Sequence, residues 1–235
     1  MGIPMQSQAT FGVGIYSFAD AARFIGSDSR DLRRWMLGHT ATRGGQKHHY
    51  APLWTPQLAE TEIEGIGFRD LIELRFVRTF ITSGVPLNLI RHTIEELQER
   101  LGNEYPFTST SFKTDGKRIF MEMLDDNGDK ALVDVVKRQN VMGKVIGPSL
   151  REGIELNVDD EAMRWYPVSR SKTIVFDPQR SFGQPILSHS GVPTIAIAET
   201  LKAEGGDVKR VAALYEVSVA DVRKAAAYEA QAAAA

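Results

Sequence analysis

One short pattern occurs near both ends of the chain, 190 residues apart, and it constrains the fold more than any other feature. The first copy runs Ala22-Arg23-Phe24-Ile25-Gly26-Ser27-Asp28-Ser29-Arg30-Asp31-Leu32-Arg33-Arg34. The second runs Ala212-Ala213-Leu214-Tyr215-Glu216-Val217-Ser218-Val219-Ala220-Asp221-Val222-Arg223-Lys224. In register, Ala22 faces Ala212, Asp28 faces Ser218 as a helix N-cap, Asp31 faces Asp221, and Leu32 faces Val222 ahead of a basic pair. A small residue where two helices cross, a short break, a cap and a second helix make the signature of a helix-turn-helix. Two such units point to a chain that reads DNA.

With 235 residues and 43% hydrophobic content, the chain can bury a real core and form two domains rather than one. It holds no cysteine, which excludes disulfides, thiol nucleophiles and thiolate metal sites and fits a reducing cytoplasm. No apolar run nears the roughly 20 residues of a membrane helix, and no basic-then-apolar signal opens the chain, so a soluble cytoplasmic protein is expected. The net charge of −2 says less than its distribution. Residues 1–50 carry six Lys/Arg against three Asp/Glu, and residues 51–105 carry five against nine. A basic head on a slightly acidic body suits a DNA-binding domain attached to an interaction domain.

Residues 1–15 lack periodicity and read as a loose arm. Ser17 is placed to cap a helix over 18–25, Gly26-Ser27 breaks it, and Asp28 caps a second helix that buries Leu32, Trp35 and Met36. The other face of that second helix carries Arg30, Arg33 and Arg34. Residues 42–50 read as a Gly-Gly turn between short polar strands, a wing bearing Arg43, Lys47, His48, His49 and Tyr50. Phe68, Leu71, Ile72, Leu74, Phe76, Phe80 and Ile81 predict an amphipathic helix stopped at Ser83-Gly84; Pro86 opens another that ends at Gly102. From Phe107 the pattern changes. Residues 112–114, 117–124 and 131–136, separated by Asp115-Gly116 and Asn127-Gly128, predict a three-stranded antiparallel meander. Residues 139–146 read as a short helix, 153–158 and 172–176 as strands, and 194–203, 207–215 and 218–230 as helices. The expected fold class is α+β, mostly helical. Residues 1–105 form a winged helix-turn-helix DNA-binding domain, 106–171 a β-rich connecting region, and 172–235 a homeodomain-like helical domain for dimerisation or partner docking.

The order helix-turn-helix, wing ending in Tyr, then two helices split by Gly84-Val85-Pro86-Leu87 resembles the head of MerR-type regulators, from Tyr16 through Gly102. The resemblance implies that the second helix enters the major groove with the wing beside it. Ser29, Arg30, Arg33 and Arg34 then become groove or phosphate contacts, and Arg43, Lys47, His48 and Tyr50 wing contacts. MerR proteins continue into a long dimerising helix, whereas here residues 103–107 are expected to lead straight into strands. The tail resembles a second family, the bacterial domain of unknown function four-three-three. Its marks are Ile174-Val175-Phe176-Asp177-Pro178, Phe182-Gly183-Gln184-Pro185-Ile186, Gly191-Val192-Pro193-Thr194 and the second helix-turn-helix. Members of that family are taken to be VapB-like antitoxins paired with PIN-domain ribonucleases. The combination looks like a long VapB-type antitoxin.

Other constellations give no catalytic centre. His48 and His49 are adjacent in a strand and point to opposite faces, so they do not share a metal ion. Asp125-Asp126-Asn127-Gly128-Asp129 lacks a calcium loop's later Gly and Glu, since Lys130 and Val136 occupy those places. Asp159-Asp160-Glu161 fits a solvated turn better than a two-metal site. No Ser/His/Asp set and no glycine-rich phosphate loop occurs. No enzyme, cofactor or metal is expected. In the second helix-turn-helix, Arg223 and Lys224 alternate with Ala220, Ala225, Ala226 and Ala227, which suits protein packing better than phosphate. Trp165-Tyr166-Pro167 and Phe182 fit closing a core slightly better than a partner hot spot.

The expected function is therefore a homodimeric antitoxin that binds operator DNA and represses its own operon. It would also hold a PIN-like ribonuclease toxin, with Arg170, Lys172, Arg180, Phe182 and Arg223 offered to that partner. The alternative is a MerR-like regulator answering a small-molecule effector in residues 107–171, without a toxin.

Overall fold

The computed structural model describes residues 12–126, 128, 133, 136, 141 and 152–234. The expected helix over 139–146, the strand over 131–136, the Asn127-Gly128 turn and most of the N-terminal arm fall wholly or largely outside the described residues.

The head opens with β1 (Ile15–Tyr16) and α1 (Phe18–Ile25). Ser17 Oγ accepts from the Asp20 amide as N-cap, and Gly26 ends the helix in the left-handed region at φ 65°. Next comes α2 (Ser29–Leu37), capped by Asp28, whose carboxylate accepts from the Arg30 amide, with Leu32, Trp35 and Met36 buried as expected. The strands β2 (His39–Arg43) and β3 (Gln46–Tyr50) pair antiparallel across Gly44-Gly45. A short β4 (Ile66–Gly67) returns to pair with β1, and leads into α3 (Phe68–Thr82) and α4 (Leu87–Leu101).

Asp70 locks this return. Fully buried, it accepts hydrogen bonds from Trp54 Nε1 at 2.8 Å, the Gln57 amide at 3.0 Å and the Gly67 amide at 3.1 Å. Burial pushes its carboxyl up to about 6, against the downward pull of those donors. The folded protein therefore keeps this proton through a window in which the unfolded chain has lost it. The resulting stability is complete below about pH 4 and is lost as pH rises through 6. A shift of that size corresponds to on the order of 3 kcal/mol. Urea unfolding at pH 4, 5 and 6 should show this decline in the wild type and a flatter profile in Asp70→Asn. Parallel profiles would remove Asp70 as its source.

After α4 the sequence expectation fails. Residues 112–124 are not strands but part of one helix, α5 (Thr110–Asp126). Phe112, Gly116, Ile119, Phe120 and Leu124 are its buried positions, a spacing of three and four that a helix satisfies and a strand does not. Asp115-Gly116 is mid-helix rather than a hairpin turn. The Phe112 ring lies where a Cβ on Gly116 would stand, so the glycine serves ring packing. Residues 103–107 thus lead into a helix packed on α4, correcting the expected strands. Buried Glu73 of α3 fixes that approach, accepting from the amides of Phe107 at 3.1 Å and Thr108 at 2.8 Å.

The described sheets are all two-stranded and antiparallel. β5 (Ile154–Leu156) pairs with β6 (Ala162–Trp165), and β7 (Ile174–Val175) pairs with β8 (Ile186–Leu187). A Trp165–Phe176 bridge joins the two pairs. The tail ends in α6 (Thr194–Ala203), α7 (Val208–Leu214) and α8 (Val219–Ala233).

The repeat seen in the sequence is real in the backbone. Ser218 caps α8 as Asp28 caps α2, and Glu216 stands at φ 52° where Gly26 stands at 65°. Leu32 and Val222 are both fully buried. Overall the chain is about half helical with small antiparallel sheets. One apolar cluster runs from Tyr16 through α3, α4 and α5 to Tyr228, while Leu187, Ile197, Val211, Val222 and Ala225 form a smaller core in the tail.

Candidate nucleic-acid interface

The exposed face of α2 and the hairpin beside it carry the basic residues expected to contact DNA. Arg30, Arg33 and Arg34 are exposed, as are Lys47, His48 and Tyr50; Ser29 is half-buried in the first turn. Arg43 pairs with Gln46 at the hairpin turn. The register puts His48 opposite Ala41 and His49 opposite Thr40, so the two histidines alternate between faces. Among the described residues, no group of three or more His, Asp or Glu is gathered to hold a metal.

The three arginines are not equivalent. Arg30 has no ion pair among the described residues. Arg33 pairs with Glu64 and lays its guanidinium over the Phe18 ring, 4.4 Å from the centroid. Arg34 lies 3.9 Å from Asp31, and its Nη2 is 3.3 Å from His39 Nε2. The His39 ring stacks on Tyr50 with centroids 4.8 Å apart. Burial, then the charges of Arg34 and Arg91, hold His39 below its ordinary pKa, which favours a neutral ring able to accept from Arg34. Arg91 Nη1 donates to the Pro52 carbonyl at 2.6 Å and fixes the chain leaving the hairpin. Sequence reasoning missed Glu64 and His39. The signal for Glu64 was the acidic surplus of residues 51–105.

The residues offered to a protein partner are scattered in character. Arg170, Arg223 and Phe182 are exposed, Phe182 to 75% and at φ 53°, so Phe182 does not close a core. Lys172 Nζ donates to Glu155 at 2.8 Å, a bond that raises its pKa, and Arg180 Nη1 donates to the Ser188 carbonyl at 2.8 Å. Lys224 reaches Thr173 Oγ1 at 2.9 Å, which brings the Arg223 turn of α8 beside the Lys172 segment. Trp165 is buried and stacked on Phe176, as a core residue should be. Asp160 accepts from the amide of Thr110 at 2.7 Å at the start of α5, and Glu161 pairs with Arg69 at 2.9 Å. Two of the three acids, Asp160 and Glu161, are thus engaged in holding elements together.

Head and tail meet through buried polar contacts. Tyr16 donates to the Gly183 carbonyl at 2.8 Å. Glu229 of α8, 6% exposed, accepts from Arg23 of α1 at 2.5 Å and from Thr194 of α6. No helix among the described residues is long and apolar enough to cross a membrane.

Residues 174–228 match the family described as protein of unknown function (DUF433). The chain is 25% identical over 230 residues to a Mycobacterium tuberculosis (strain ATCC 25618 / H37Rv) protein named "Putative antitoxin VapB45", covering 92% of this chain and 93% of that protein. Its fold is similar to the X-ray crystal structure of Rv2018 from Mycobacterium tuberculosis, with a TM-score of 0.65 and 22% identity over 92% of this chain and 99% of that one. Similarity therefore extends along nearly the whole chain, with a recognised family segment spanning the tail from β7 into α8.

Proposed function

We propose that the chain is a cytoplasmic, non-enzymatic antitoxin of a type II toxin–antitoxin system. It inhibits a PIN-like ribonuclease and represses its own operon. The observation that carries this reading is similarity to a protein named an antitoxin, spread over 92% of the chain rather than confined to one segment. The exposed arginines of α2 beside an exposed polar hairpin support DNA binding by residues 1–105, in the manner of a MerR-like winged helix-turn-helix. Residues 106–171 connect that head to the tail, and residues 172–235 dimerise or dock the toxin. A twofold dimer sets two heads on successive major grooves of an inverted repeat, so that each head raises the effective concentration of the other.

Toxin inhibition works by charge. PIN nucleases gather carboxylates around a metal, and an exposed basic residue covers that pocket. Arg170 and Arg223 have neither an ion pair nor a side-chain hydrogen bond among the described residues, whereas Lys172 is paired with Glu155 and Arg180 donates to the Ser188 carbonyl, so the first two are better placed for this role. Coupling between toxin and operator is reciprocal, so toxin that strengthens DNA binding is itself held more tightly on DNA.

The test is co-expression with the product of the adjacent reading frame, followed by tagged pull-down and a ribonuclease assay. The expected result is co-purification, with nuclease activity released only when this chain is removed. A chain that binds its own promoter but captures no neighbour ends the antitoxin reading.

A further inference from the structure

A cavity of about 380 Å³ lies between the head and the C-terminal helix, lined by segments distant in sequence: 23–26 of α1 and its cap, 75–79 of α3, 165–168 after β6, and 228–232 of α8. Arg23, Arg75 and Arg78 line it, and among the described residues no carboxylate does. Arg23 is paired with Glu229, but neither Arg75 nor Arg78 has an ion pair among the described residues.

Its walls present donors without acceptors. Arg75 Nη1, Trp165 Nε1 and Tyr228 OH are all buried with no hydrogen-bond partner among the described residues. Trp165 is 4% exposed and Tyr228 8%. The Arg75 guanidinium lies over the Trp165 ring, 4.1 Å from its centroid. Leaving such a donor unsatisfied is costly, and leaving a desolvated charge without a counter-charge is more so. The residues that carry these three unpaired donors all line the one cavity, which places an acceptor bound there among them. Burial pulls the Arg75 guanidinium down to about 10, so it is still a cation at neutral pH. Burial pushes the Tyr228 phenol up, which keeps it a donor.

The chemistry of the walls selects the ligand. Two unpaired guanidiniums call for a carboxylate or phosphate, which accepts a guanidinium fork with two oxygens. Phe24, Ile25, Trp165, Pro167 and Val168 supply an apolar surface for a flat hydrocarbon body. The volume lies at the lower end of the range of small-molecule sites. We propose that this cavity is a receptor for a small organic anion, a planar apolar group bearing one carboxylate or phosphate. The bound molecule touches α1, immediately before the arginine-bearing α2, and α8 of the tail at once. This goes beyond the antitoxin reading and does not depend on a toxin partner.

The test is isothermal titration of the full chain with benzoate and phenyl phosphate at fixed ionic strength, with neutral benzamide as the control. Saturable binding of at least one anion is expected, weakened about tenfold or more in Arg75→Met and in Tyr228→Phe, with no saturation by benzamide. Tyr228→Phe keeps the shape of the side chain, so it decides the matter if Arg75→Met does not fold. Absence of saturable heat for both anions up to roughly 10 mM overturns the proposal. Equal binding of benzamide does so too, as does undiminished binding by both variants.

Discussion

Gly183→Ala is expected to destabilise the protein by about 3 kcal/mol, although it adds a single methyl group. Gly183 stands at φ 82°, in the left-handed region where a side chain costs roughly 1–2 kcal/mol. A Cβ there would also overlap the hydroxyl of Tyr16, which is fully buried and donates to the Gly183 carbonyl. Displacing that hydroxyl breaks a buried hydrogen bond, at about 1–3 kcal/mol. Urea unfolding followed by far-UV circular dichroism measures the loss; the melting temperature should fall by roughly 6–12 °C for a chain of this size. Tyr16→Phe removes the hydrogen bond without the backbone strain and should cost about 1–2 kcal/mol. Because both variants lose the same bond, the double variant should cost less than the sum of the two. A Gly183→Ala protein within about 0.5 kcal/mol of the wild type would mean that this contact does not hold head to tail.

That contact also shows which parts of the structure were legible in the sequence. The Phe182-Gly183-Gln184 run was visible as part of a family resemblance, yet nothing in its spacing said that its partner is Tyr16, 167 residues earlier. Local chemistry, by contrast, read well. Ser17, Asp28 and Ser218 each announced a helix start, and α1 and α6 occupy the spans expected for them. The hairpin around Gly44-Gly45 was legible for the same reason, because two glycines at positive φ have few other uses. The failure at residues 112–124 has a physical cause. Asp-Gly favours a hairpin turn only when strands flank it, and here Phe112 and Phe120 lie about one helical turn on either side of Gly116. The ring packing that makes Gly116 useful inside a helix is invisible to a rule about turns. The cavity was hidden more deeply, since Arg75 sits in an apolar helix and its neighbours come from four separate segments. Of the arginines on α2, position and exposure could be read in advance; their partners could not.

Those partners set the second large effect. Replacing Arg33 and Arg34 together by Ala is expected to weaken operator binding roughly tenfold or more, and to reduce the slope of log affinity against log salt by about one to two. The structure adds an order to the single variants. Arg30 has no ion pair among the described residues, so a phosphate contact there would cost no existing partner. Arg33 must first leave Glu64, an exposed pair worth about 0–1 kcal/mol, and Arg34 must loosen its hold on Asp31 and His39. Arg30→Ala should therefore cost more affinity than Arg33→Ala. Glu64→Gln should tighten binding by up to about fivefold, because it frees Arg33 and removes a negative charge beside the DNA backbone. Fluorescence anisotropy with the fragment upstream of the coding region, repeated at several salt concentrations, separates these effects from changes in fold. If the double variant binds as the wild type does, α2 is not the reading helix. The other capped helix of the repeat, α8 with Arg223 and Lys224, then becomes the next element to mutate.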